Sequence, residues 1–234
     1  MSAREKPPVL RILCRVAYDG SRFAGWQRQR GERTVQDVVE RSLGLLTGSE
    51  RHPIVGAGRT DAGVHAGGQA FHFDCSGPAI PGPNWASALN TKLPPDVRIL
   101  GSGVVAESPD SGALHARFSA VLRCYSYRLS YAAVPEPLPA RDHLYLGYRP
   151  DPDYLDRILS VLVGEHDFAA FGAAGTEVRS TVRRLTRVAL VPRPDGARID
   201  VWGTAFLRRM VRGIVGTALA LERRGAGPEE MRAI

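Results

Sequence analysis

The stretch Gly56-Ala57-Gly58-Arg59-Thr60-Asp61-Ala62-Gly63-Val64-His65 sets one carboxylate beside one guanidinium within a run of small residues. Small residues let a ligand come close to the backbone. A carboxylate placed there can bond covalently or stabilise a developing positive charge. Gly56-x-Gly58 resembles the opening of a dinucleotide-binding fingerprint. The third glycine of G-x-G-x-x-G would fall on Asp61, however, and an acid there would face the pyrophosphate, so that chemistry is excluded. Spacing alone leaves two readings of Asp61: the cap of a turn, which is the common fate of Asp in glycine-rich loops, or a catalytic carboxylate.

Two further groups of residues bear on chemistry. Arg22, Arg28 and Arg30, with Phe23 and Trp26 interleaved, suit a loop that grips an RNA backbone and offers rings to bases; a basic loop without RNA contact is the plainer reading. Arg208, Arg209 and Arg212 follow helical spacing, as a phosphate-binding or a solvated face, while Met210, Ile214, Thr217 and Leu221 form a separate stripe that should pack inward.

The whole chain, 234 residues with Lys+Arg 31 against Asp+Glu 24, carries a formal charge of +7, and all its basic residues but Lys6 and Lys92 are arginines. The guanidinium fork fits phosphate oxygens and stacks on bases, although GC-rich codon usage produces the same excess. Charge alone therefore points to a polyanion and no further. Cys14, Cys75 and Cys124 are odd in number and lack a CxxC pair, which excludes a disulfide framework and fits a reducing cytoplasm. His65, His72 and Cys75 come nearest to a metal-ligand cluster, but His72 and Cys75 differ in strand parity, so no metal is expected. The apolar run 213–221 is too short to span a bilayer, and Arg11 and Arg15 interrupt any signal-peptide core.

The elements that must position these groups can be read from pattern. Val9 to Tyr18 reads as a strand ended by Asp19-Gly20, and Thr34 to Leu46 as a helix with Thr34 as N-cap and Gly48 as stop. A short strand from Pro53 to Ala57 leads into the glycine-rich stretch. Gln69 to Cys75 alternates as a strand, Pro83 to Leu93 reads as a helix and Val97 to Val105 as a strand. The polar segment Ala106 to Ala113 is the candidate boundary, giving halves at 1–110 and 111–234. Beyond it come a strand (Val121 to Tyr131), a proline-rich loop (Pro135 to Pro139) and a helix from Asp151-Pro152 to Val163. Two strands (Arg183 to Val191, Arg198 to Thr204) turn at Pro194-Asp195-Gly196, and a helix runs from Phe206 to about Arg224. The expected class is α+β: two similar α/β halves whose mainly antiparallel sheets join into one extended sheet with a central cleft.

The run GRTDAGVHA resembles the signature of the TruA family of tRNA pseudouridine synthases. So do Tyr18-Asp19-Gly20 with Gly25-Trp26-Gln27-Arg28-Gln29, His115-Ala116-Arg117-Phe118-Ser119-Ala120, and Arg123-Cys124-Tyr125-Ser126-Tyr127. Gly164-Glu165-His166-Asp167-Phe168 and the segment from Phe206 to Gly216 complete the series, in the family's order from residue 9 to about 225. The resemblance implies a homodimer that converts uridine to pseudouridine in the anticodon stem-loop of tRNA, at positions 38 to 40, without metal or cofactor. It implies that Asp61 is the catalytic aspartate, as nucleophile or by assisting departure from the sugar. It further implies that Arg212 pairs with that carboxylate, that Tyr125 stacks on the target base, and that Arg59 helps to extract it. By parity alone Tyr125, sharing a face with Tyr127 and Leu129, is an ordinary core tyrosine. Arg22, Trp26, Arg28, Arg30 and Arg208 are the remaining candidate RNA contacts. The resemblance also implies a further helix and a last strand, with a Gly-Leu-Tyr-Leu-like segment, where this chain stops at Ile234.

Overall fold

Ile12, Cys14, Val16 and Tyr18 alternate with more exposed neighbours, so strand β1 (Leu10–Tyr18) buries one face and frees the other. In the computed structural model residues 8–105, 114–135, 137, 142–173, 175 and 178–234 are described. They fall into two compact units, Met1–Ala120 and Val121–Ile234. The boundary segment Ala106 to Ala113 lies outside the described residues, as do parts of the proline-rich loop 135–139.

In the first unit a four-stranded antiparallel sheet has the order β2-β3-β1-β4, with β2 Val55–Gly56, β3 Ala66–Cys75 and β4 Val97–Val104. Ile12 lies opposite Phe73 and Cys14 opposite Phe71. Those four side chains join Val97 and Ile99 in one core with helices α1 (Val35–Thr47) and α2 (Trp85–Asn90). Helix α1 is bounded as its sequence predicts: Thr34 Oγ1 accepts from Asp37 N, and Gly48 caps the end in the left-handed region. Helix α2 is shorter than the pattern 83–93, because a 3-10 turn over Gly82–Asn84 precedes it.

In the second unit the order is β6-β5-β9-β8-β7, with β5 Arg123–Ser130, β6 His143–Tyr145, β7 Gly164–Asp167, β8 Val182–Arg193 and β9 Gly196–Gly203. Among the described residues only β5 and β6 pair in parallel. Helices α3 (Pro152–Ser160), α4 (Met210–Arg224) and α5 (Pro228–Arg232) complete the unit. Leu155, Ile158, Ile214, Ala218 and Met231 from these helices share a core with Leu129, Leu185, Ile199 and Val201 from the sheet. Asp151 caps α3 by accepting from Asp153 N and Tyr154 N. Strands β6 and β7 escape pattern reading: each is a short strand at a sheet edge with little buried surface. Helix α4 begins four residues later than its pattern, because Arg209 takes a left-handed φ of 62° and cannot continue a helix.

On the outer side of β3, buried His72 accepts from Ala116 N through Nδ1 at 3.0 Å, and its ring meets His115 at 4.9 Å. Beside it Arg11 and Asp74 form a two-point ion pair. Burial first, then the charges of Arg11 and His115, hold the His72 imidazole below the ordinary value of 6.5, with Asp74 opposing. The fold thus keeps His72 neutral while the unfolded chain takes up a proton near that pH. The stability that this supplies is present above about pH 6.5 and is lost as pH falls through it. Melting temperature is expected to drop between about pH 7.5 and 5.5, and His72→Gln, whose amide oxygen still accepts from Ala116 N, should flatten that slope in a thermal-denaturation series.

Candidate active site

Asp61 occupies a tight turn: its carbonyl accepts from Val64 N at 3.2 Å. Gly63, at φ 78°, takes the third position, where this geometry needs a left-handed residue. Asp61 itself is half-buried. The turn is held from both directions along the chain. Ala57 N donates to Ala70 O at 2.8 Å and Gln69 Nε2 to Gly58 O at 3.1 Å, so strand β3 returns beside the loop that precedes it.

The segment after β1 supplies the rest of the clamp. The Tyr18 hydroxyl lies 2.8 Å from Thr60 Oγ1. A register shift between Val16 and Tyr18 in the β1–β3 ladder accompanies this re-aimed side chain, as bulges near functional loops often do. Asp19 then caps a 3-10 turn over Gly20–Arg22. Gly20 passes so close to the Asp61 turn that a Cβ on it would stand 2.1 Å from Val64 O. Gly63 N donates to Phe23 O at 3.2 Å and Trp26 N to Thr60 O at 3.0 Å. Gly25, at φ 101°, leaves space that a Cβ would take from Thr60 O, at 2.7 Å. Beneath the loop the Trp26 indole fills the place where a side chain on Gly56 would be, with Tyr18 and Phe71 around it. His65 Nδ1 lies 3.3 Å from Gly20 N and 3.1 Å from Asp19 Oδ1. With its lone pair free it accepts from the amide; with a proton it donates to the carboxylate.

This arrangement corrects one expectation. Trp26 is 2% exposed, and Phe23 is buried with it, so neither ring belongs to an RNA-gripping surface. They are the floor of the Asp61 loop, and Phe23 is covered by the Arg33 guanidinium at 4.0 Å. Arg22, Arg30 and Arg59 are exposed. Arg28 is also exposed, but one end of its guanidinium is tied to buried Glu40 at 2.8 Å.

Within the second unit Tyr125 lies on β5 on the same face as Tyr127 and Leu129, as parity predicts. Leu129 is core and Tyr127 packs on that core, whereas Tyr125 is half-buried and stands edge-on to Phe206, with ring centroids 4.7 Å apart. Phe206 opens the turn that carries Arg208 and Arg209 into α4, so Tyr125 and the arginine cluster share one neighbourhood. Leu207 and Met210 anchor that turn in the core, and Ala173 N donates to Arg208 O at 2.9 Å. Arg208 and Arg212 are exposed, while Met210, Ile214 and Leu221 are buried, as the two stripes imply.

A family model described as tRNA pseudouridine synthase matches residues 15–118 and 158–234, which spans both the Asp61 turn and the start of α4. The chain belongs to the tRNA pseudouridine synthase family. Relatives agree along nearly the whole chain. A tRNA pseudouridine synthase A of Shouchella clausii is 40% identical over 224 residues, covering 96% of this chain and 84% of its own length. That of Bacillus subtilis is 38% identical over 226 residues, with 96% and 89% covered. That of a Synechococcus strain is 41% identical over 224 residues, with 94% and 74% covered. Enzymes of this family are isomerases: uridine and pseudouridine hold the same atoms, with the sugar moved from nitrogen to carbon.

One contact of the clamp gave no warning in the sequence. Tyr18 and Thr60 are far apart in the chain, and only the return of β3 beside β1 brings them together. The Gly20 contact yields a direct test of the clamp. Gly20→Ala should displace the Val64 carbonyl, lower stability by about 1–3 kcal/mol and cut the rate of pseudouridine formation by about tenfold or more. An unchanged rate in a folded Gly20→Ala enzyme would show that the turn can move without cost to the reaction.

Proposed function

We propose that this chain isomerises uridine to pseudouridine in the anticodon stem-loop of tRNA, at positions 38 to 40, with Asp61 as nucleophile and as a homodimer that uses neither metal nor cofactor. The observation that carries the reading is the clamped turn. A half-buried aspartate is held by backbone contacts from two segments, β3 and the clamp after β1, and by a buried tryptophan, the rigidity that a reacting group needs.

The reaction breaks the glycosidic C–N bond, turns the uracil and forms a C–C bond at the same sugar carbon; the proton lost from the base carbon is balanced by one gained at nitrogen. Asp61 supplies the electron pair for a covalent intermediate and is released when the new bond forms. Before that, the base must leave its stack, at a cost of a few kcal/mol that contacts to the flipped nucleotide must offset. Arg59, exposed two residues before Asp61, is suited to fill the vacated stack. Arg22, Arg28 and Arg30 lie on the clamp segment and supply charge for the RNA backbone. Tyr125, at the margin of the second unit's core, offers a ring face for the uracil, and Arg208 a phosphate contact.

Arg212 is read as the guanidinium partner of the carboxylate. Its place within the second unit fits an anionic partner. It stands in the first turn of α4, beside Arg208 and Arg209, with no acidic residue in that turn. Cations at the positive end of a helix are disfavoured by about 0.3–1 kcal/mol each. Three of them together make sense where they meet anions.

Asp61→Asn tests the reading most directly. The variant should hold tRNA within about threefold of the wild-type affinity, since binding rests mainly on phosphate contacts, and form no pseudouridine in a tritium-release or mass-spectrometric assay. Product at the wild-type rate would remove Asp61 from the chemistry. Arg212→Met separates function from stability: turnover should fall about a hundredfold, while the melting temperature holds or rises because a cation leaves the positive end of α4. A loss of stability matching the loss of rate would assign Arg212 a structural role instead.

A further inference from the structure

Glu40 is 2% exposed on α1, one residue past core Val39 and three before core Leu43. Burying a carboxylate is costly unless donors surround it, and an apolar residue of similar size often serves a core as well or better. The donors here come from three segments. Arg28 Nη1 reaches Oε2 at 2.8 Å, Gln36 Nε2 reaches Oε1 at 2.8 Å, and Ile54 N reaches Oε1 at 3.4 Å. The Glu40 backbone carbonyl accepts from His52 N at 3.0 Å as well.

Two routes lead from this carboxylate to the Asp61 turn. On one, Gln36 Oε1 accepts from Arg28 N, Gln36 N donates to Trp26 O, and Trp26 N donates to Thr60 O. On the other, Ile54 leads straight into β2 and Gly56, beneath which the Trp26 indole packs. One side chain thus sets the spacing between the clamp segment and the strand that delivers the reactive loop. We propose that Glu40 is a positioning residue for the isomerisation: its carboxylate fixes the Arg28–Gln36–Trp26 clamp and the approach to β2, and through both it fixes Asp61. The proposal rests on the reading that Asp61 reacts, and its test keeps the two apart.

The experiment compares Glu40→Gln, Arg28→Met, the double variant and Gln36→Leu as full-length chains. It measures the single-turnover rate at saturating tRNA, tRNA affinity and melting temperature, with Asp61→Asn alongside. Glu40→Gln keeps an acceptor for Ile54 N but sets an amide against the guanidinium. It should lower the saturating rate about tenfold while affinity stays within about twofold, since a small displacement of a reacting group is felt in rate. At saturating tRNA the double variant should be no slower than Glu40→Gln alone, because Arg28 reaches the reacting step only through its contact with Glu40, whatever affinity it loses as a phosphate contact. Gln36→Leu, which removes a donor to Glu40 and the acceptor of Arg28 N, should slow the same step. A purely structural Glu40 would lower the melting temperature and leave the saturating rate of folded enzyme unchanged; that result overturns the proposal, as does a loss confined to tRNA affinity. If Glu40→Gln does not fold, a wild-type rate in Gln36→Leu overturns it equally. An active Asp61→Asn would instead strike at the proposed chemistry and leave the Glu40 comparison to be read by itself.

Discussion

The hydrogen bond from Trp26 N to Thr60 O ties the Asp61 turn to the core of the first unit. The same residue serves twice, since its indole lies under Gly56 where the loop begins. A loop with so many small residues would ordinarily sample many conformations, because glycine gains most from disorder. Here the small residues let other backbone come close: Gly20 against Val64 O, and Gly25 against Thr60 O. Flexibility in sequence is thereby converted into tight packing in the fold, and the carboxylate inherits the rigidity of the sheet.

That dependence explains why the clamp segment is built as it is. Val35 N and Gln36 N, the first amides of α1, donate to Gly25 O and Trp26 O. A helix start normally leaves such amides without partners in the helix. Using the clamp's carbonyls as acceptors satisfies both sides at once and fixes the clamp to the most regular element nearby. The 3-10 turn at Gly20, the register shift before Tyr18 and the ring of Phe23 under Arg33 serve the same end. Each brings the chain close to the Asp61 turn without exposing apolar surface.

Much of this fold is written locally and can be read from the chain. Thr34, Gly48 and Asp151 mark helix ends through bonds to residues two to four positions away, so their role survives without knowledge of the rest. The parity of Phe71, Phe73 and Cys75 is equally local. The motif around Asp61 is legible as a candidate for chemistry. What holds it is not, because Tyr18–Thr60 and Trp26–Gly56 join positions that meet only after the sheet has formed. Trp26 misleads for the same reason: among arginines it reads as an RNA-stacking ring, and only the return of the chain shows it as floor. The start of α4 is hidden differently. Arg209 adopts a left-handed conformation that a sequence announces only when it offers glycine or asparagine.

The arginine excess changes meaning once the side chains are placed. Arg11, Arg28, Arg33, Arg41, Arg51, Arg128, Arg198 and Arg232 each pair with an Asp or Glu in the structure. Pairs on the surface contribute only about 0–1 kcal/mol apiece, so stability is not what fills the chain with arginine. Those pairs do consume acids, however, and in doing so they sharpen the field elsewhere. Along the clamp Arg22 and Arg30 are exposed, whereas Arg28 and Arg33 are the ones held by Glu40 and Asp96, and the first turn of α4, which carries Arg212 just after Arg208 and Arg209, has no acidic residue. A field concentrated on such segments draws a polyanion toward them faster than the same charge spread evenly would. Overall charge therefore points only to a polyanion; the placement of exposed arginines on the clamp and at the start of α4 singles out two segments, and both adjoin residues read as chemical.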